Sequence, residues 1–417
     1  MKILLAIKFI ILANYICAQN TEITEIISFD SSSLITLSGI GEYNSSSIPN
    51  NFSSAFIFRK KLTNKMINQS ISYLEPNNKF GMDLIGRVDY LSKEYRRGDS
   101  STMRWQYTYR SVFHSDFSIS KNLFSLIFKG NKQFAGTNVS LGNNSIQNIV
   151  YDNFMLHGIS KTVFPNSVQT IGIGGGLILG KQLNSAYINN TNLYTEVNGE
   201  FLDISSNYSY YNTSNIPTYY KGYGINVSGF YIVERKKDKF YFSIDNAGFI
   251  NWNSGGSIYR KDTNIRFEGI EITNIFTSQN SINSDSLVSI VAGKSDSSAF
   301  TLPIIPELSF GYEFKINDFF CFHSMVNYRI NGNYNPNLIG KLSYNASKSF
   351  NLGLLASYGG YGFYNISDKR EASVGIETKI ELFNNWRIFV QIPHINGLLY
   401  PKWLAGNGLL FTLTKKI

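Results

Sequence analysis

Residues 103–119 alternate with a period of two over an unusually long span. Odd positions carry Met103, Trp105, Tyr107, Tyr109, Phe113, Phe117 and Ile119, while even positions carry Arg104, Gln106, Thr108, Arg110, His114, Asp116 and Ser118. Successive side chains of a strand point to opposite faces, so this spacing predicts a strand with one apolar and one polar face. The pattern returns at residues 80–90, where Met82, Leu84, Val88 and Tyr90 oppose Asp83, Arg87 and Asp89, and again at 223–233. In 304–316, Leu308, Phe310, Tyr312 and Phe314 oppose Glu307, Ser309, Glu313 and Lys315. Asn317 and Asp318 make a tight turn. The chain then returns with Phe320, Phe322, Val326 and Tyr328 against His323, Asn327 and Arg329.

The same period accounts for IGIGGGLILGK at residues 171–181. A phosphate loop needs G-x-x-x-x-G-K followed by Ser or Thr, because the hydroxyl holds magnesium, and Gln182 occupies that position. Read as a strand, Ile171, Ile173, Leu177 and Leu179 share one face, and Gly172, Gly174 and Gly176 lie on the other. Such glycines leave room for an inserted element, a hatch or an inward loop, to press against the wall.

Connections alternate in length toward the C-terminus. Short turns at 317–318, 347–349 and 383–385 alternate with longer stretches at 331–337, 359–370 and 393–407. A membrane barrel requires this, since one end closes in tight turns and the outer end carries loops. The alternation leaves the C-terminus on the periplasmic side and puts the basic turn at 234–239 there too. Residues 350–358 would span about 20 Å once tilted by about 40°, near the thickness of an outer membrane's apolar band. The predicted fold is all-β: a transmembrane antiparallel up-and-down β-barrel of about 14–16 strands with a partly plugged lumen.

Composition sharpens this picture. Aromatic residues make up 15% of the chain, charged residues 16%, and no run after the N-terminus is long and apolar enough for a spanning helix. Residues 1–18 read as a secretory signal, with Lys2 and Lys8 around an apolar run that ends at Ala18. Residues 19–63 are polar and Ser/Asn-rich, expected as an N-terminal lead-in or hatch, and 64–417 as the barrel. Removing the signal takes Lys2 and Lys8 away and the formal charge from +9 to +7. The remaining excess is spread out and forms no nucleic-acid patch. It also leaves Cys321 as the lone thiol, which excludes an intramolecular disulfide.

Candidate chemistry is sparse. The four histidines show no paired metal-ligand spacing, so no metal site and no cofactor are expected. His114, Ser115 and Asp116 mimic a triad only in one-letter code, because Ser115 points to the other face of the strand. No catalytic residues are assigned. The acidic loop around Asp285 and Asp296 lacks D-x-D spacing and is expected as a solvated loop. The candidate lumen-lining residues are Asp83, Arg87, Asp89, Arg104, Arg110, His114 and Asp116, either a mutually satisfied network or a solute constriction.

Four segments carry a resemblance: FSIDNAGFINW (242–252), IRFEGIEI (265–272), TLPIIPELSFGYEF (301–314) and LYPKWLAGNGLLFTL (399–413). With these the chain resembles a Bacteroidota outer-membrane family, domain of unknown function 5723, which is similar to FadL and PorV barrels. The N-P-A element often seen near the start of such barrels is not matched by SIPNNFSSAF. The resemblance implies an outer-membrane location and transfers no catalytic residues. The leading expectation is a monomeric, non-enzymatic barrel in outer-membrane lipid for passive passage of small or apolar solutes, as in FadL. The alternatives are a non-transporting PorV-like barrel whose partners are secretion or surface-assembly proteins, and a secreted β-sandwich adhesin.

Overall fold

The computed structural model describes residues 32–268, 296–347, 349–362, 372–402 and 404–417. The expected signal peptide and most of the acidic loop, Asp285 included, lie outside the described residues. The alternating stretches form strands. In chain order the elements are β1 (Leu34–Ser45), α1 (Asn50–Ile57), α2 (Asn64–Tyr73), β2 (Asn77–Leu91), the two-residue β3 (Tyr95–Arg96), β4 (Ser101–Ser120), α3 (Lys121–Lys129), β5 (Asn138–Phe164) and β6 (Ser167–Thr195). There follow β7 (Leu202–Asn212), β8 (Gly222–Glu234), β9 (Asp238–Trp252), β10 (Ser257–Phe267), β11 (Phe300–Pro303), β12 (Glu307–Lys315) and β13 (Phe320–Arg329). The chain ends with β14 (Asn335–Ser347), β15 (Phe350–Gly360), β16 (Ser373–Glu381), β17 (Trp386–Ile392), α4 (Ile395–Leu399) and β18 (Asn407–Lys416).

Fourteen strands close into one antiparallel barrel, in the order β1, β2, β4, β5, β6, β8, β9 and then β12 through β18. The ring shuts where β18 pairs with β1, from Leu34 opposite Lys416 to Tyr43 opposite Asn407. Closure leaves no wall strand with an unpaired edge, which is the condition for a sheet to stand in lipid. Outward side chains such as Leu84, Tyr107, Phe154, Ile173, Phe310 and Leu354 are exposed. No helix among the described residues is long and apolar enough to cross a membrane, so any crossing falls to the strands.

Short turns gather at the end that holds the C-terminus, and the basic turn at 235–237 is among them. The opposite end carries α1, α2 and α3. Thr63 Oγ accepts from Met66 N and Ser120 Oγ from Leu123 N, capping α2 and α3 at their N-termini. The Phe52 ring packs 5.3 Å from both Phe124 and Phe128, which fastens α1 to α3.

Three features depart from expectation. First, the N-terminal stretch is not a hatch as far as residue 45. Leu34–Ser45 is a wall strand paired on both sides, and Thr36, inward, bonds Thr414 at 3.2 Å. Its alternation is masked because inward Leu34 and Ile40 are as apolar as outward Ile35 and Leu37. The boundary expected at residue 63 therefore falls too late. Second, β5 and β6 run for 27 and 29 residues, about 90 Å at full extension against an apolar band about 25 Å tall. The lower half of β6 pairs with β8 and the upper half with β7, which pairs in turn with β10. The weak strand expected at 265–272 is the end of this extra sheet as far as Phe267.

Third, among the described residues no hatch presses on the lumen-face glycines. Ile171, Ile173 and Leu177 are exposed, as an outward face requires, and Gly172 and Gly174 are buried. A Cβ on Gly172 would lie 2.2 Å from the Phe230 ring, one on Gly174 2.3 Å from the His157 ring, and one on Gly176 2.6 Å from the Asn226 side chain. Side chains of the adjoining strands β5 and β8 lean over the bare backbone. The space is used by the wall itself.

Candidate functional site

Buried side chains meet across the barrel axis and divide the lumen into three. An outer vestibule of about 880 Å³ opens toward the helices and is bordered by Glu42, Tyr73, Tyr334, Tyr361, His394 and Tyr400, among others. An inner vestibule of about 610 Å³ lies among the short turns. Between them lies a cavity of about 70 Å³, bordered by Asp83, Arg87, Arg110, His114, Asp245, Glu307 and Arg329. This waist is the partial plug.

The waist is built from ion pairs that span the lumen. Arg329 on β13 reaches Asp83 on β2 at 2.9 Å, although these strands are seven steps apart around a ring of fourteen, and it also holds Glu307 at 3.1 Å. His114 Nδ1 bonds the other oxygen of Asp83 at 2.7 Å. The Tyr334 ring covers the Arg329 guanidinium at 4.6 Å. A second crossing runs from Arg110 on β4 to Asp245 on β9, at 2.6 Å and 3.1 Å from the two guanidinium nitrogens. Asn246 and Ser228 complete it, at 3.0 Å to Arg110 and 2.7 Å to Asp245. A guanidinium is suited to this because its planar fork meets two carboxylate oxygens at once.

All seven lumen-lining candidates point inward, but they serve different groups. Asp83, Arg110 and His114 belong to the crossings. Arg87 and Asp89 pair with each other at 2.6 Å, and Gln106 and Thr108 also bond Asp89. Arg104 donates to Ser92 O at 2.8 Å and ties the wall to the connection after β2. Asp116 sits above the waist and receives inward-folded loops: Asn333 N at 2.9 Å and the Tyr361 hydroxyl at 3.0 Å. Burial first, and then the Asp116 carboxylate, push the Tyr361 hydroxyl well above its ordinary range, so it remains a donor to Asp116. The lumen is thus narrowed by loops from the second half of the chain, with Ile304 anchored to Gly248 O at 3.0 Å.

Asp245, Glu307, Arg329 and Asn246 were not among the candidates. Asp245 lies at a β-bulge: Val227 pairs with Ala247 and Gly229 with Ile244, so β9 holds one residue more than β8 there. Asn246 takes a left-handed φ of 58°, which asparagine tolerates better than most residues. Below the bulge Phe242 faces out; above it Phe249 does, and Ile250 and Trp252 turn inward. The signal was legible as adjacent Asp-Asn interrupting an aromatic alternation.

At the outer vestibule, His394 Nε2 lies 2.9 Å from Glu42, and its Nδ1 contacts Ser373. Asn396 Nδ2 bonds Ala372 O at 2.9 Å, and Asn50 Nδ2 bonds Gly397 O and Gly406 O at 2.7 and 2.6 Å. These contacts clamp the 393–406 connection onto β1 and β16.

No curated protein matches the chain. Among solved structures it is similar to the TodX deltaS2S3 mutant monoaromatic hydrocarbon channel, with a TM-score of 0.42 and 8% identity over 97% of this chain and 95% of that one. A Pseudomonas aeruginosa FadL homologue gives 0.39 and 8% over 93% and 90%. The P. putida toluene transporter TodX gives 0.40 and 6% over 94% and 91%. The family of unknown function DUF5723, which the sequence resembles, matches residues 29–384, and the chain belongs to that family.

Proposed function

We propose that this chain is a non-enzymatic outer-membrane barrel for passive passage of small solutes, held closed at the waist and opened when its cross-lumen ion pairs yield. The observation that carries this reading is the division of the lumen: two vestibules of about 880 and 610 Å³ face each other across only about 70 Å³. Tyrosines and Leu404 beside serines and asparagines in the outer vestibule suit solutes with an apolar body and a polar group. The charges that close the waist are buried, so opening needs a rearrangement of paired groups rather than a fluctuation of one side chain.

A second reading is a barrel that passes nothing and serves as a partner in secretion or surface assembly. It is supported by the β5–β6 hairpin, which extends past the wall and carries β7 and β10 as an added sheet. Planar-bilayer conductance of the purified barrel separates the two. Wild type is expected to be nearly silent, and Arg329→Ala to conduct in discrete steps. Silence of Arg329→Ala and of Arg110→Ala, with both folded, would favour the partner reading.

A further inference from the structure

The β12–β13 hairpin brings three chemically different ligand atoms together on the lumen face of the inner vestibule. Glu313 and His323 stand directly opposite each other in the ladder, and Cys321 precedes His323 by two residues on the same face. The Glu313 carboxylate is 3.4 Å from His323 Nδ1, and one ligand atom from each of the three residues lies within 4.8 Å of the other two. Cys321 is buried, and its thiol donates to Phe314 O at 3.5 Å.

We infer that Glu313, Cys321 and His323 form a binding site for a divalent transition metal of the zinc class, open at its fourth position. One thiolate, one imidazole and one carboxylate make a donor set that suits zinc or cobalt and not calcium or magnesium. Tetrahedral bonds of about 2.0–2.3 Å put ligand atoms about 3.3–3.7 Å apart, so the observed spread needs only a small contraction of side chains on a rigid hairpin. Three protein ligands leave one position free, and it faces the vestibule, which has room for water or an anionic ligand.

The surrounding charge is consistent with such a site. Lys239 and Lys341 flank the hairpin in the ladder, opposite Glu313 and His323, and Lys341 is paired with Glu377 at 2.9 Å. Lysines repel a bare cation, but binding expels the Cys321 proton and couples the metal's two charges to a thiolate and a carboxylate. The filled site is neutral, and the lysines then favour an anion at the fourth position.

Cobalt titration of the folded, detergent-solubilised chain tests this. One Co²⁺ per chain is expected, with a thiolate-to-cobalt charge-transfer band that Zn²⁺ abolishes. Cys321→Ser should lose that band. Loss of a partner outside the ligand set already costs roughly tenfold in affinity, so Glu313→Gln and His323→Gln should each weaken binding at least that much. A measurement without substitution accompanies these: Zn²⁺ should slow alkylation of the Cys321 thiol by about tenfold or more at saturation. Absence of the band in folded wild type, its survival in Cys321→Ser, or equal alkylation with and without Zn²⁺ overturns the inference.

Discussion

The waist and the inner vestibule are both lined by acids and bases and share strands β9, β12 and β13, yet they differ in how those residues meet. At the waist, acids and bases from strands several steps apart touch across the lumen, as Arg329 does with Asp83 and Arg110 with Asp245. In the inner vestibule, Lys236 and Lys237 are exposed on a turn, and the pairing that occurs joins near strands, as between Lys341 and Glu377. Gly353, between those strands, has no side chain to part them: a Cβ there would lie 2.4 Å from Glu377. Polar lining alone therefore does not make a pore. Whether charges pair across the axis or around the rim decides if the lumen is closed.

The sharpest break of this contrast is Arg329→Ala. Removing the base leaves Glu307 buried without its partner and Asp83 with His114 alone, a class of change that costs about 3–5 kcal/mol. The midpoint of denaturant unfolding in detergent should fall accordingly, and an unchanged midpoint would show that the waist charges are solvated like those of the vestibule. Gly174→Leu comes next. Its Cβ would overlap the His157 ring, and overpacking of this kind costs about 1–3 kcal/mol. The same unfolding assay reads it, and a neutral outcome would mean that the wall below the extra sheet yields freely. The smallest effect on stability is expected from the double variant Lys236→Glu, Lys237→Glu, within about 0.5 kcal/mol because both side chains are exposed. In an Arg329→Ala background the pair should instead shift ion selectivity toward cations, read as a change in reversal potential that shrinks at high salt. Equal reversal potentials would mean that the vestibule charges do not act on the path.

Much of the barrel was legible because lipid and lumen impose opposite demands on alternate residues. Residues 103–119 and 307–329 therefore announce their faces, and the C-terminal turns announce their ends. β1 was missed since an inward position packed into a filled lumen can be as apolar as an outward one, and Leu34 and Ile40 are. Asp83, Arg110 and His114 could be assigned to the interior from parity alone. Their pairing could not: Asp83 and Arg329 are 246 residues apart in sequence, and nothing local to either states that they touch.

By itself the sequence determined the class of fold, the side of the wall each regular residue faces, and the end at which the chain stops. These follow from a period of two and from turn lengths, which are local properties of backbone geometry. Only the tertiary structure decided where the lumen narrows, which loops narrow it, and that Glu313, Cys321 and His323 share one face within ligand distance of each other. Those facts depend on ring closure, ladder register and bulges such as the one at Asn246, which set distances between residues that the chain order keeps apart.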